Sequence, residues 1–372
     1  MNQIFSIGRS PVVPAMGRRV SDSRISVPFS VILFGGFFIM KKNIIILTVI
    51  LFLAGALSGC SAIQNEKSGK LSVVTTIFPE YDWVRNILGS RTSEVDVAML
   101  LDNGVDLHSY QPSADDIIRI SQCDLFIYVG GESDGWVKDA LKEAANRDMI
   151  VIDLLQVLGD VVKEEEIKEG MEDEEHDHEH GEDHDHEGEQ EEETEYDEHV
   201  WLSLKNTAVL IEAIRDALVS LDAENADSYI SNAAAYIEKL NTLDAAYKTT
   251  VDAACRKTIL FADRFPFRYL VDDYDLDYYA AFAGCSAESE ASFETIAFLA
   301  GKVDELGLQT VLTLEGTDHK IAETVISASG EKSAQILSMD SMQSTTSEDV
   351  SRGVTYLSIM EKNLQVLSDA LK

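Results

Sequence analysis

Four side chains with metal-binding donor atoms stand out in the sequence: His108, His199, Asp263 and Asp340. Histidine nitrogen and carboxylate oxygen are the atoms that zinc and manganese bind, and three or four such groups complete a site. Taken singly, each residue is weak evidence. A histidine in a loop is more often solvated than bound to metal, and an aspartate at a strand end more often caps a helix.

Histidine is also concentrated in one acidic segment, which strengthens the case for metal chemistry. Residues 163–198 hold almost no large apolar side chains, so the composition predicts a disordered loop. Its histidines, interleaved with Asp and Glu, are His176, His178, His180, His184 and His186. Neutral imidazoles at this density form a flexible chelator of low specificity. A tract that served solubility alone would need charge but no histidine.

The elements that must position these residues alternate along the chain. Short apolar runs such as 71–75 and 258–262 predict strands, and amphipathic runs such as 293–306 predict helices. This alternation predicts an α/β fold with parallel sheets covered on both faces. Ligands of such sheets bind at the carboxyl ends of the strands, and the four candidate residues are expected there, two from each half of the chain.

The pattern divides the chain into two Rossmann-like lobes. The N-terminal lobe is predicted over 71–205, including the acidic loop, and the C-terminal lobe over 257–372. Linking helices occupy 206–256, where apolar residues recur at three and four positions over a stretch long enough to run between the lobes. The metal site is expected in the cleft between the lobes.

The amino terminus reads as a targeting signal. Residues 1–39 are interpreted as an over-extended start, and 40–59 as a lipoprotein signal peptide with two lysines before a short apolar run. Leu57-Ser58-Gly59-Cys60 resembles a bacterial lipobox, in which the cysteine carries lipid. Residues 60–70 suit a flexible tether. The folded part is therefore expected outside the cell, lipid-anchored to the bacterial membrane through Cys60.

Charge and cysteine content narrow the remaining options. The formal net charge is -36, which argues against nucleic acid as a partner. Cys255 precedes one predicted strand and Cys285 follows the next, so parallel strands would place the two sulfurs at opposite ends of the sheet. No disulfide between them is predicted.

Two motifs contain the candidate histidines: GVDLHSYQPS, from Gly104 to Ser113, and DEHVWLS, from Asp197 to Ser203. They are similar to the segments that supply the first and second ligand histidines in the solute-binding lipoproteins of zinc- and manganese-type ATP-binding-cassette importers. Residues 71–372 resemble that family, the zinc-uptake branch in particular. The acidic histidine loop precedes the second motif, as in zinc-binding members of the family. The resemblance implies a monomeric receptor that captures Zn²⁺, with Mn²⁺ as the alternative, delivers it to a membrane permease and catalyses no reaction.

The resemblance also implies a ligand set, with one departure. His108, His199 and Asp340 match three family ligands. At the position of the third ligand this chain has Arg264, which cannot coordinate a metal because it stays protonated. Asp263 is the neighbouring candidate, with Glu288 or Glu290 as substitutes. Separately, the position of Glu315 at a strand end suits a residue that orients a ligand histidine.

Two other classes of function remain open at this point. A metal-dependent hydrolase would need an open water position and a general base, and the chain lacks His-Glu-x-x-His. A surface adhesin would use the metal structurally, so that removing the metal unfolds it.

Overall fold

Two four-stranded parallel sheets form the framework that positions the candidate residues. The computed structural model describes residues 69–171, 195–286 and 290–372. The first sheet has the strand order β2-β1-β3-β4 and the second β6-β5-β7-β8. The strands are β1 (Ser72–Thr75), β2 (Asp96–Met99), β3 (Leu125–Tyr128), β4 (Ile150–Asp153), β5 (Thr258–Phe265), β6 (Asp277–Ala283), β7 (Thr310–Leu314) and β8 (Gln335–Met339).

Helices cover both sheets, as the alternating pattern predicts. Those of the first half are α1 (Phe78–Leu88), α2 (Ala114–Gln122), α3 (Val137–Lys142) and α4 (Leu154–Leu158). Two linking helices follow, α5 (Leu204–Leu221) and α6 (Ala226–Ala253). Those of the second half are α7 (Arg268–Asp273), α8 (Phe293–Leu306), α9 (Lys320–Ala328), α10 (Ser347–Ser351) and α11 (Tyr356–Ala370). The predicted α/β fold with two parallel sheets is confirmed.

Helix α6 packs against both halves. At 1.5 Å per residue its 28 residues span about 42 Å. The Asn232 side chain donates to the Ile87 carbonyl of α1 at 2.9 Å, and the Tyr247 hydroxyl donates to the Met360 carbonyl of α11 at 2.6 Å. Its buried face follows the predicted repeat at three and four residues. The long helix therefore joins α1 of the first half to α11 of the second half.

Both ends of the predicted disordered loop are ordered, which corrects its boundaries. Glu164 and Tyr196 form an antiparallel bridge, and Met171 is buried. The Lys168 ammonium contacts Asp277 at 2.6 Å and lies over the Tyr278 ring. Composition misled here because charged side chains on 163–171 pair with the second sheet. The five loop histidines lie outside the described residues, as does the proposed targeting segment with Cys60.

Two element boundaries also differ from the prediction. Strand β5 continues to Phe265, beyond the predicted end at 262, with a shift in register between Phe261 and Arg264. The final helix, predicted from Ser351 to Leu371, begins only at Tyr356: α10 ends before Gly353, whose φ is 95°, and Thr355 caps α11 by accepting from Ser358 N. A positive φ favours glycine and ends the helix there.

Candidate metal centre

His108 is held at the carboxyl edge of the first sheet. It lies in a 3-10 turn, Leu107–Ser109, whose preceding residue Asp106 accepts from the His108 backbone N–H at 3.0 Å. The imidazole Nδ1 lies 2.8 Å from the Ser133 hydroxyl, which follows β3. This contact fixes the ring and leaves Nε2 facing the cleft.

His199 is fully buried and is oriented by the carboxylate two residues before it. Asp197 Oδ1 accepts from the His199 backbone N–H at 2.8 Å and lies 3.0 Å from its Nδ1. A carboxylate at Nδ1 holds the proton on that nitrogen and leaves the Nε2 lone pair for a metal ion. Ser203 then caps α5 by accepting from Asn206 N, so this segment is fixed on both sides of the histidine.

The two imidazoles meet at the nitrogens that point away from their partners. The Nε2 atoms of His108 and His199 are 3.2 Å apart. Two nitrogens on a tetrahedral zinc ion, each with a bond of about 2.05 Å, would be about 3.3 Å apart. The pair is thus spaced as two ligands of one ion would be.

A cavity of about 270 Å³ opens beside His108, and four of its eight lining residues are glutamates. Glu198 Oε1 accepts from Ser133 N at 2.9 Å, whereas its Oε2 is buried without a hydrogen-bond partner, 3.6 Å from His108 Nδ1. Gly131 permits this close packing, because its φ is 82° and a Cβ there would lie 2.3 Å from Glu198 Oε1. A cation approaching the histidines therefore meets negative charge first.

The surroundings shift the pKa values of the two histidines in opposite directions. Burial and, after it, the charge of His199 lower the pKa of His108 to about 3. Burial also opposes the charged form of His199, but the adjacent Asp197 raises the pKa of His199 above its usual value. His108 is consequently neutral at physiological pH. At His199 a metal ion must compete with a proton for the imidazole nitrogen.

Asp263 is engaged by backbone groups of its own sheet. It lies within β5, with Oδ1 accepting from Arg264 N at 2.9 Å and Oδ2 from Leu314 N at 3.1 Å. Arg264 extends the other way and pairs with Asp106 at 2.8 Å. This salt bridge joins Arg264 to the first half of the chain and does not involve Asp263.

Asp340 follows β8, where it was predicted. Its Oδ1 accepts from Met342 N at 2.9 Å. Burial raises its pKa, and burial together with Asp340 raises the pKa of Glu315 to about 7. Glu315 accepts from Ser341 N and Oγ, both at 2.8 Å, so it orients the loop after β8. Its role beside a ligand histidine stays a prediction.

Among the described residues, one group of three or more possible ligand atoms lies within 4.8 Å of one another: His108, His199 and Cys285. Asp263 and Asp340 do not belong to it. Glu290 is exposed, and Glu288 lies outside the described residues. The ligand roles of both aspartates stay predictions.

Comparison with known proteins places the chain in a family. The profile of the family described as "Zinc-uptake complex component A periplasmic" matches residues 73–370. The chain belongs to this family. It is 30% identical to the zinc-binding protein AdcA of Streptococcus pyogenes over 340 residues, 88% of this chain and 61% of the relative. It is also 30% identical to the high-affinity zinc uptake system protein ZnuA of Bacillus subtilis, over 82% of this chain and 89% of that protein.

A solved structure supports the same placement. The crystal structure of the Zn(II)-bound ZnuA-like domain of Streptococcus pneumoniae AdcA matches with a TM-score of 0.63 and 29% identity, over 82% of this chain and 99% of that chain. The resemblance to zinc-type solute-binding lipoproteins is thereby confirmed at the level of family and fold. The chain spans about 61% of the length of the AdcA relative, so membership of the family does not assign to it the activity of that whole relative.

Several residues of the centre were missed from the sequence. Asp197 was quoted only as part of a motif, although a carboxylate two residues before a candidate ligand is itself a signal for its orientation. Ser133 gave no signal, because its contact with His108 depends on the loop after β3. Gln343 lies between the halves: with its amide nitrogen towards Asp106 (3.0 Å), its oxygen is 3.3 Å from His199 Nε2.

His319 contacts the Thr313 hydroxyl through Nδ1 at 3.0 Å at the start of α9 and belongs to no ligand group in the described part of the chain. Within residues 69–171, 195–286 and 290–372, no helix is both long and apolar enough to cross a membrane.

Proposed function

We propose that the chain captures one Zn²⁺ ion outside the cell and delivers it to the permease of an ATP-binding-cassette importer. The observation that carries this proposal is the 3.2 Å separation of the His108 and His199 Nε2 atoms, each on a ring held through its other nitrogen. Family membership supports the coarser part, a metal-binding component of an uptake system. The relatives' names, zinc-binding AdcA and ZnuA, support zinc as the ion.

The chemistry of the donor set favours zinc. The two imidazoles suit zinc, whereas manganese prefers carboxylate, carbonyl and water oxygens. A manganese-type receptor is the alternative within the same fold. Asp340 and Asp263 are retained as proposed ligands that would complete the shell from the second half of the chain.

The proposed location follows from the amino-terminal segment. Lipid on Cys60 would hold the receptor at the outer face of the membrane, beside its permease. The receptor is proposed to act as a monomer. The relative in Streptococcus pneumoniae is named a zinc-binding lipoprotein, which supports this anchoring. No catalytic step belongs to the proposal.

The first experiment measures binding stoichiometry and affinity on the purified chain. Titration against a chromogenic zinc chelator should give one tight site, with additional weak binding where the histidine-rich segment is present. His108→Ala and His199→Ala should each weaken the tight site by at least about a hundredfold, on the order of 2.7 kcal/mol. His319→Ala is the matched control and should bind like the parent protein. Unchanged tight binding in both site variants would overturn the proposal.

The rival classes give opposite outcomes in two simple assays. A hydrolase should turn over members of an ester, peptide or phosphate panel when loaded with zinc, whereas the receptor should not. A protein with a structural metal should unfold when zinc is removed by EDTA, whereas the receptor should keep its circular dichroism spectrum and a cooperative thermal transition.

A further inference from the structure

The residue after Gly284 brings a thiol to the histidine pair. Possible ligand atoms of His108, His199 and Cys285 all lie within 4.8 Å of one another. Cys285 follows β6 at the carboxyl edge of the second sheet, whereas Cys255 precedes β5. Because β5 and β6 are parallel, the two cysteines lie at opposite ends of the sheet. Cys285 therefore lies at the end of the sheet that faces the two histidines, and Cys255 lies at the other end.

Backbone geometry fixes this approach. Gly284 lies against the His199 ring, and a Cβ at that position would be 3.2 Å from both His199 Nδ1 and Cε1 and 2.9 Å from the Phe265 carbonyl oxygen. Only a residue without a side chain lets the strand end come this close. The Cys285 backbone N–H then donates to Glu165 Oε1 at 2.8 Å, which anchors the loop to the ordered segment 163–171.

Arg264 stands at the position of the family's third ligand. Its guanidinium pairs with Asp106 and donates to the Ser286 carbonyl at 3.4 Å. It therefore ties the loop that follows Cys285 to the loop that carries His108. The side chain that cannot bind metal instead holds together two loops that present donor atoms.

A second observation points to a cation between these groups. The Glu198 carboxylate, in a residue only 2% exposed, has one oxygen without a hydrogen-bond partner, and it lines the same cavity as His108 and Cys285. An unpaired buried carboxylate oxygen is costly unless positive charge or a donor compensates it. Oε2 lies 3.6 Å from His108 Nδ1, so a divalent ion held at Nε2 of the same ring would place its positive charge on the far side of that ring.

We propose that Cys285 is a zinc ligand of this chain and forms, with His108 and His199, an N₂S set. The proposal rests on the proposed zinc site and adds a residue to it. Binding replaces the thiol proton by Zn²⁺, and the proton leaves to solvent, giving a coordinated thiolate. A thiolate ligand favours zinc over manganese, so Cys285 also determines metal selectivity.

The metal-free site keeps the sulfur protonated. Burial, followed by the charges of Glu165, Asp197 and Glu198, raises the pKa of the Cys285 thiol, and a backbone hydrogen bond from Glu198 acts in the opposite direction. The same carboxylates would stabilise the loaded site by offsetting the charge of the cation. In the empty receptor they would hold the sulfur as the less reactive thiol.

The test is cobalt substitution of the full chain under reducing conditions, at one equivalent of Co²⁺. Thiolate coordination gives an intense near-ultraviolet charge-transfer band, which imidazole and carboxylate ligands do not give. The band should be present in the parent protein, absent in Cys285→Ser and Cys285→Ala, and retained in Cys255→Ser, the matched control at an exposed position. In parallel, Cys285→Ser should weaken zinc binding at least about tenfold, the smallest loss expected even for a residue that only orients a ligand, and should reduce the ratio of zinc to manganese affinity.

The outcomes separate this inference from the proposed function. If Co²⁺ binds tightly, with His108 and His199 required but without a charge-transfer band, Cys285 is not a ligand although the receptor proposal survives. If neither Co²⁺ nor Zn²⁺ binds tightly to the parent protein, the receptor proposal itself fails. A band that persists in both Cys285 variants, folded by circular dichroism, would also overturn the inference.

Discussion

At the scale of single residues, the site depends on groups that orient the two histidines as much as on the histidines themselves. Asp197 contacts both the backbone and the ring of His199, and Ser133 contacts the ring of His108. Each contact occupies Nδ1 and directs Nε2 towards the other ring. Two imidazoles on different elements thus reach the spacing of two ligands before any ion binds.

The Asp197 carboxylate is expected to increase zinc affinity through His199. Asp197→Asn keeps an oxygen acceptor at Nδ1 but removes the charge, so it should lower zinc affinity about tenfold. Chelator competition at constant pH measures the change. Asp216→Asn is the control, because that carboxylate is 71% exposed and pairs with Arg215. Equal affinities of the two variants would show that Asp197 does not support the ligand.

The pH dependence of binding should report one histidine, not two. The pKa of His108 is lowered to about 3, so this ring stays neutral throughout the range from pH 5 to 8. The pKa of His199 is raised, so below it a proton must leave before zinc binds. Below the pKa of His199, each further drop of one pH unit should therefore weaken zinc binding by an extra factor of ten, so that the slope of log Kd against pH becomes steeper by one. A change in slope of two would contradict this assignment.

At the scale of elements, the buried carboxylate of Asp82 joins helix α1 to α6 and α11. Asp82 Oδ2 accepts from the Tyr236 hydroxyl of α6 and from the Tyr356 backbone N–H of α11, both at 3.2 Å. Burial raises the pKa of Asp82 from 3.8 to about 6. The same side chain therefore links three helices and carries a cost when it ionises.

Asp82→Asn should remove a pH-dependent loss of stability. Below the unfolded-state pKa both states are protonated, and no cost arises. As pH rises towards 6, Asp82 ionises in the unfolded chain before it does so in the folded one. The free energy of unfolding of the parent protein therefore falls by on the order of 2 to 3 kcal/mol relative to that of the variant. Urea unfolding at several pH values measures the difference. Asp96→Asn, at an exposed position, is the control, and parallel curves for the parent protein and Asp82→Asn would refute the expectation.

Elements were predictable from local pattern, whereas contacts between distant segments were not. The helix 293–306 matches its predicted bounds, because Ser292 caps its start and Gly307 its end, on either side of the apolar repeat. The register shift in β5 moved Asp263 inside a strand, and no local signal marks a bulge of this kind. His108 and His199 were found from motifs. Ser133 and Cys285 required knowledge of which loops meet at the strand ends.

At the scale of the whole molecule, both sheets direct their carboxyl ends at one site. The Trp201 indole N–H donates to the Ser341 carbonyl at 2.8 Å, and the Ser347 hydroxyl donates to Asp102 at 2.6 Å. Together with the Arg264 pair to Asp106, these contacts cross from one half of the chain to the other. Helix α6 adds packed contacts at both of its ends.

This degree of connection predicts a small change of shape on zinc binding. In a protein lacking residues 1–60 and 172–194, the radius of gyration should be about 19 Å and should change by less than about 1 Å on loading. Small-angle X-ray scattering of the empty and loaded forms measures it. A decrease of several ångströms would mean that the halves close by a hinge, against the packing of α6.

The most direct test of the central claim is zinc competition titration of that same shortened protein, beside its His199→Ala variant. The deletion removes the five loop histidines but keeps the ordered segments 163–171 and 195–198. One tight zinc site per chain should persist in the shortened protein and disappear in the variant, because His108 and His199 hold the ion. If removal of residues 172–194 alone abolished tight binding, the ion would belong to the histidine-rich segment, and the site between the two sheets would be refuted.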